Sequence, residues 1–330
     1  MGGTIFSKIG IGLVRIGHAP GISHLTAAEQ APTDRYRRGA GRPLRAVHQA
    51  TRRSSTASTT AVVASVRCFS TAPRAPDWLS PQVIGAARAV GVELLVIDRP
   101  GYGMSARRPG RRVVDVAADV STVVEAVGWD RFAVWGGSGG APHALAVAAR
   151  LPDRVTACAS VVGLAPYDAP GLDWYADMSA GNVEESQAAA RGERVYRPLV
   201  ERLAAEAIAD IEAGGIQVSD AYQLPEVDRR ALAARREEQG YLDRMDLTYR
   251  HGIDGWIDDC MALTEPWGFE LSKLTTPTSV WYGPADVLAS RAHHEYLLSV
   301  IPAAQRRELH GDHLVNNTDL AAVYDWLAEL

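Results

Sequence analysis

From Trp78 onward, short apolar runs alternate with longer stretches whose apolar residues recur every three or four positions. Glu93–Asp98 (ELLVID) is a leucine and β-branched run closed by the turn cluster RPGYG, so it reads as a strand. Val113–Gly128 spaces its apolar residues at helical intervals and ends on glycine. RFAVWG predicts the next strand and APHALAVAARLP the next helix, and Val155–Gly163 a further strand. Strands alternating with helices in this way predict a parallel sheet covered on both faces.

The rhythm breaks between about Ala165 and Leu274, where the text is helical and charged. There Val200, Leu203, Ala207, Ile208 and Ile211 share one helix face that must pack on something. The alternation then resumes. Thr278–Gly283 and QRRELHG predict strands, SRAHHEYLLSVIP and NTDLAAVYDWLAEL predict helices, and Asn317 or Thr318 is the expected cap of the last one. The organisation read from this is a core of residues 77–164 and 275–330, with 165–274 as a helical insertion.

Composition divides the chain again. Residues 1–76 hold 11 Lys and Arg against 2 Asp and Glu, a net charge of +9, which leaves −14 for residues 77–330. The chain carries −5 overall, so no global charge draws it to nucleic acid or an anionic membrane. No apolar run reaches the roughly 20 residues that cross a bilayer. Cys68, Cys158 and Cys260 are too far apart for a zinc site or redox pair, and a reducing cytoplasm is the expected compartment. No metal or cofactor is expected.

The chemistry lies where strands end. GGSGG at 136–140 places Ser138 between an incoming apolar strand and an outgoing helix, the sharp bend of a nucleophile elbow. Glycines on either side fit because the serine sits in a strained backbone conformation that leaves no room for neighbouring Cβ atoms. The backbone N–H of Gly139 would face a developing oxyanion. A plain glycine bend or phosphate loop is the bland alternative, but no lysine follows as in a P-loop. A serine hydroxyl needs a base, and the base an orienting acid. Asp286 follows the strand ending near Gly283, and His313 lies between the last strand and the last helix. Asp286 could instead cap the following helix, as Ser290 could, and His313 could cap the last one. His293 and His294 fall inside a helix pattern, His251 in the insertion, His310 on a strand, and His143 on the helix after Ser138 as packing or pocket wall.

DRPGYGMS (98–105), GGSGG, WYGPADVL and GDHL stand in an order and spacing that resemble the α/β-hydrolase superfamily of serine hydrolases, over about Trp78–Leu330. The resemblance implies an α/β fold with a mostly parallel eight-stranded sheet, a helical cap between the sixth strand and the seventh, and cofactor-free hydrolysis of an ester-like bond. It implies a carboxylic ester of a small or medium acyl group as substrate, attacked by Ser138 with His313 as base and Asp286 as its partner. Trp174, Tyr175, Trp256 and Trp267 are candidate pocket aromatics, against the alternative that they are core. A serine at the elbow argues against the dehalogenase and epoxide hydrolase branches. A proline-releasing aminopeptidase is the rival within the fold; it needs an acidic cap residue for a substrate amine, and its elbow carries Trp where this chain has Gly139. A non-catalytic binding protein on the same fold is the rival of another class.

The pattern fails at the front. The family's second oxyanion donor comes from an H-G-x-P-G loop after the third strand, and this chain has RCFSTAPRAP there. Three readings of residues 1–76 are open. They form a mitochondrial transit peptide, rich in Arg, Ser, Thr and Ala, or a disordered basic arm. Alternatively they are translated in a wrong frame: with G/C-favouring third bases, the codons of Cys68–Pro76 read from the third base spell Leu-Phe-His-Gly-Thr-Pro-Gly-Ala. If the chain is made as written, Thr60–Val66 serves as a strand and FSTAPRAP as a poor loop. GHAPG at Gly17 echoes the motif but lies far upstream.

Overall fold

A computed structural model describes residues 11–17, 46–49, 59–63, 81–102, 105–213, 222–237 and 252–330. Its strands are β1 (Ile11–Gly17), β2 (Ala46–Gln49), β3 (Thr59–Val63), β4 (Val92–Ile97), β5 (Phe132–Gly137), β6 (Val155–Val161), β7 (Thr278–Tyr282) and β8 (Gln305–Glu308). They form one eight-stranded sheet in the order β2-β4-β1-β3-β5-β6-β7-β8. From β3 through β8 each neighbouring pair is parallel, and β3 also pairs parallel with β4. β1 runs antiparallel to β3, β4 and β5, and β2 antiparallel to β4. The expected mostly parallel α/β sheet is therefore present, with its antiparallel members drawn from the first 63 residues.

The described helices are α1 (Pro81–Ala89), α2 (Val116–Ala126), α3 (Ala141–Arg150), α4 (Ala180–Ala190), α5 (Glu193–Glu212), α6 (Glu226–Arg236), α7 (Asp254–Thr264), α8 (Arg291–Val300) and α9 (Asn317–Ala328). Period-two alternation along the strands sorts side chains into two cores, one on each face of the sheet. Leu95, Ile97, Phe132, Val134 and Val280 join α2, α3 and α8 on one face. Leu94, Val96, Ala133, Trp135 and Trp281 join α1 and α9 on the other. Strands buried on both faces need continuous apolar runs, which is why ELLVI and FAVW carry them. β8 closes the edge with four exposed residues, Gln-Arg-Arg-Glu, and charge there discourages pairing with another chain.

Two local details differ from the sequence reading. The helix expected from Val113 opens with a single 3-10 turn, Val113–Asp115, before α2 begins. The last helix is capped by Asn316, whose side chain accepts the Asp319 N–H, rather than by Asn317 or Thr318. The physical reason is the count of free N–H groups: a cap must stand one residue outside the helix, and Asn317 is already its first member.

Between β6 and β7 the described regular structure is helical, with α4 to α7 set between non-helical stretches at either end. Tyr196, Val200, Leu203, Ala204 and Ala207 of α5 pack with Trp256 and Ile257 of α7 and with Tyr102. Ile208 is partly buried at that core's edge, and the Ile211 side chain lies outside the described set. This small core rests on the sheet through a close backbone crossing. A Cβ on Gly101, which has φ +89°, would come within 2.7 Å of Gly255 Cα, so both positions need glycine.

Candidate active site

β5 delivers Ser138 to the tip of the sheet. Ser138 has φ 54°, a left-handed value that costs a non-glycine residue about 1–3 kcal/mol and persists only where its surroundings enforce it. The bend is tight because a Cβ on Gly136 would stand 2.2 Å from the Gly140 carbonyl oxygen. Gly139 follows Ser138 in the turn that leads into α3, and the space over it is taken by Leu263 of α7. Its N–H thus stands at the start of a helical run, where free N–H groups favour negative charge.

The other two residues arrive from loops beyond β7 and β8. His313 Nε2 lies 2.9 Å from Ser138 Oγ, and His313 Nδ1 lies 2.9 Å and 3.1 Å from the two oxygens of Asp286. All three side chains are buried. Asp286 does not cap α8, since Ser290 stands at that cap position. Instead its Oδ1 accepts the N–H groups of Leu288 and Ala289 at 2.7 and 3.0 Å, which aims its carboxylate at the imidazole. Burial pushes the Asp286 carboxyl up, but His313 and these donors outweigh it and leave it below the usual carboxylate range. An ionised Asp286 holds the proton on Nδ1, so Nε2 is left as the acceptor for the serine hydroxyl. The two loops are braced against each other: Ala285 N–H donates to Asp312 at 2.7 Å, and a Cβ on Gly283 would meet Asp312 Cα at 2.2 Å.

Behind the elbow lies a charged cluster that sequence reading missed. Asp259 of α7 accepts from Arg99 Nε at 2.9 Å and from Tyr102 Oη at 2.8 Å, and forms ion pairs with the guanidinium groups of Arg99 and Arg111. His143 sits beside it with Nε2 3.7 Å away, while its Nδ1 bonds the Gly139 carbonyl at 3.0 Å. Burial opposes ionisation of Asp259, yet the two arginines hold it well below the usual range. Burial and Arg99 push His143 down to about 3, so it is a neutral donor to the turn that follows Ser138. Nothing local in GWIDDCMAL (255–263) marks such a residue; Asp259 has its arginine partners 148 and 160 positions away, and only the fold joins them.

The four aromatics are distributed as follows. Trp267 belongs to the main core and stacks on Phe269, and Trp256 belongs to the core of the inserted helices. Trp174 is buried, donates to the Ala165 carbonyl at 2.9 Å and meets His293 edge-on. Tyr175 is half-buried, with its hydroxyl 2.6 Å from that of Tyr167. His294 is buried on α8 under Tyr282, and neither ring nitrogen has a hydrogen-bond partner among the described residues. His310 stands two residues past β8 rather than on it, with Nδ1 2.7 Å from Asp319; the strand stops at Glu308 because the chain must turn there toward the His313 loop. His251 lies outside the described residues, as do FSTAPRAP and most of GHAPG. Gly17 itself ends β1 opposite Thr59, while Ile11 at the other end of the strand pairs with Gly136. Among the described residues no cluster of His, Cys, Asp or Glu could hold a metal, and no helix is long and apolar enough to cross a membrane.

A buried serine on a strained strand-to-helix bend, at the tip of a mostly parallel sheet, defines a hydrolase-type α/β protein. The chain belongs to the α/β-hydrolase fold family, whose model matches residues 76–318. Among solved structures it is similar to the enol-lactonase from Burkholderia xenovorans, with 18% identity, TM-score 0.56, and 86% of this chain and 96% of that chain covered. It is also similar to a thermophilic esterase from Thermogutta terrifontis, with 20% identity, TM-score 0.54, and 76% and 86% covered. A hydrolase from Pseudomonas aeruginosa matches at 19% identity and TM-score 0.50 over 74% and 80%. At these identities the likeness is one of fold. No curated protein matches the chain.

Proposed function

We propose that the protein is a serine hydrolase that cleaves a carboxylic ester, or a similar acyl bond, of a small molecule. The reading rests on one observation, the continuous hydrogen-bonded relay from Ser138 Oγ through His313 to Asp286. Ser138 attacks the carbonyl carbon as His313 Nε2 takes its proton. Gly139 N–H holds the oxyanion, and His313 then returns the proton to the leaving alcohol. Water, deprotonated by the same imidazole, releases the acid from the acyl-enzyme. The esterase and the enol-lactonase named above support an ester or lactone as the substrate class.

In this reading residues 77–164 and 275–330 carry the chemistry, and 165–274 form a cap. Tyr175, with Trp174 behind it, is the aromatic we place at the acyl pocket; Trp256 and Trp267 serve packing. The aminopeptidase reading draws no support from the described residues of the inserted helices. Their buried carboxylates are engaged: Glu185 by Tyr196 and Tyr222, Asp228 by backbone N–H groups, Asp258 by Arg107, and Asp259 by its arginines.

Intact-mass detection of a fluorophosphonate adduct, beside Ser138→Ala, tests the proposal. One adduct on the wild type and none on the variant is the expected result, with turnover of short p-nitrophenyl esters. A folded wild type that takes no adduct, even after His-Gly-Thr-Pro-Gly is built in at positions 71–75, would point to the non-catalytic alternative.

A further inference from the structure

Asp228 is the residue of α6 that the relay does not use and that nonetheless reaches it. It is fully buried, and its two oxygens divide between two consecutive backbone groups of the histidine loop: Oδ2 accepts the His313 N–H at 3.1 Å and Oδ1 the Leu314 N–H at 2.9 Å. Donor and acceptor lie 85 and 86 positions apart in the chain, so this is a tertiary clasp and no local turn. A loop that carries a general base needs its backbone held, because a shift of about 1 Å in a catalytic group costs on the order of a hundredfold in rate. The other supports of this loop come from the core: Asp312 holds Ala285, and Asp319 accepts from the His310 and Gly311 N–H groups. Among the described residues, Asp228 is the support that comes from the inserted helices.

From this we infer that Asp228 is a positioning residue for His313, through which the inserted helix α6 holds the histidine loop in the geometry that reaches Ser138. The inference rests on the hydrolase reading above and deepens it. Asp228 touches no reacting atom; it acts through the main chain of His313. It also brings a second carboxylate close to His313. Burial pushes the Asp228 carboxyl up and outweighs the Leu314 N–H and the charge of His313, which favour its anion, so it stands above the usual carboxylate value. The charged or titratable groups around the pair are Asp286 and Asp312 from the two loops, His294 from α8, and Asp228 itself from α6.

The test compares wild type with Asp228→Asn, Asp228→Ala and Asp228→Glu. Asn keeps the shape but replaces one acceptor with a donor facing an N–H, and removes the charge. We expect kcat for p-nitrophenyl acetate to fall about 10- to 100-fold in Asp228→Asn, with KM within about twofold, since the clasp acts on the base rather than on the pocket. The acid limb of kcat/KM should move about one unit to lower pH, because a lost carboxylate no longer favours the imidazolium. Asp228→Glu, which keeps the charge, should hold the limb at its wild-type position. Unchanged kcat and an unchanged limb in Asp228→Asn, on a wild type that reacts with fluorophosphonate, would overturn the inference and leave the hydrolase reading standing. Hydrogen–deuterium exchange of the peptide spanning residues 309–316 separates the two ideas. It needs no turnover, and faster exchange there in Asp228→Asn or Asp228→Ala supports the clasp even if the wild type proves inert. Exchange equal to wild type in both variants counts against it.

Discussion

Three buried histidines should make this fold sensitive to mild acid. His143, His293 and His294 are buried, and burial is the leading reason that their basicity falls from 6.5 to about 3, about 3 and about 4. In His143 Arg99 adds to the effect, in His293 the neighbouring His294 does, and in His294 the nearby Asp286 opposes it. Each group stays neutral in the folded chain while its unfolded counterpart takes up a proton near pH 6.5. Stability is therefore complete above the unfolded value and drains as pH falls below it, until the folded values near 3 to 4 are reached. One pH unit of such a mismatch is worth about 1.4 kcal/mol per group, so three groups cost about 4 kcal/mol between pH 7.5 and 5.5. Against the ~5–15 kcal/mol that holds a typical domain, that is a large share. Carboxylates such as Asp259 and Asp286, whose folded values are lowered, lose their contribution only below about pH 5, so the window belongs to the histidines. Urea unfolding followed by tryptophan fluorescence at pH 7.5, 6.5 and 5.5 measures the loss. His294→Phe removes one titrating ring that has no hydrogen bond to forfeit, and it should reduce the loss by about a third, to roughly 3 kcal/mol. A wild type that loses less than about 1 kcal/mol over this range would refute the reasoning. So would a His294→Phe variant that loses as much as wild type.

Other substitutions probe the site and its scaffold. Asp286→Asn should lower kcat by about 10³- to 10⁴-fold with a modest change in KM, because the imidazole loses the partner that fixes its tautomer; steady-state ester hydrolysis reads this. Gly136→Ala drives a Cβ against the Gly140 carbonyl at 2.2 Å, and should both destabilise the fold by about 2–3 kcal/mol and abolish the phosphonate adduct, as urea midpoints and intact mass would report. Asp259→Ala leaves two guanidinium groups buried without their carboxylate and should cost about 3–5 kcal/mol in the same urea assay, whereas Asp119→Ala leaves behind only Arg108, which is exposed to water, and should cost about 1 kcal/mol or less.

Most of the scaffold and the candidate trio could be read from residue order alone. Continuous apolar runs such as ELLVI and FAVW, separated by amphipathic stretches, require a sheet with both faces covered, because only that arrangement buries them. Ser138, Asp286 and His313 were legible because each sits just past a strand, where glycine-rich turns announce an exposed loop end. These are local signals, carried within about ten residues of one another. The fate of the aromatics was not legible, since Trp174, Tyr175, Trp256 and Trp267 look alike in sequence and separate only by which core lies beside them. Nor were the groups that hold the site in place. Asp259 meets Arg99 across 160 positions and Asp228 meets His313 across 85. A carboxylate on an amphipathic helix reads as a solvated face until folding takes away its water. Burial then makes an unpaired charge prohibitively costly, and partners brought in by the chain path turn an ordinary acid into a fixed part of the machinery.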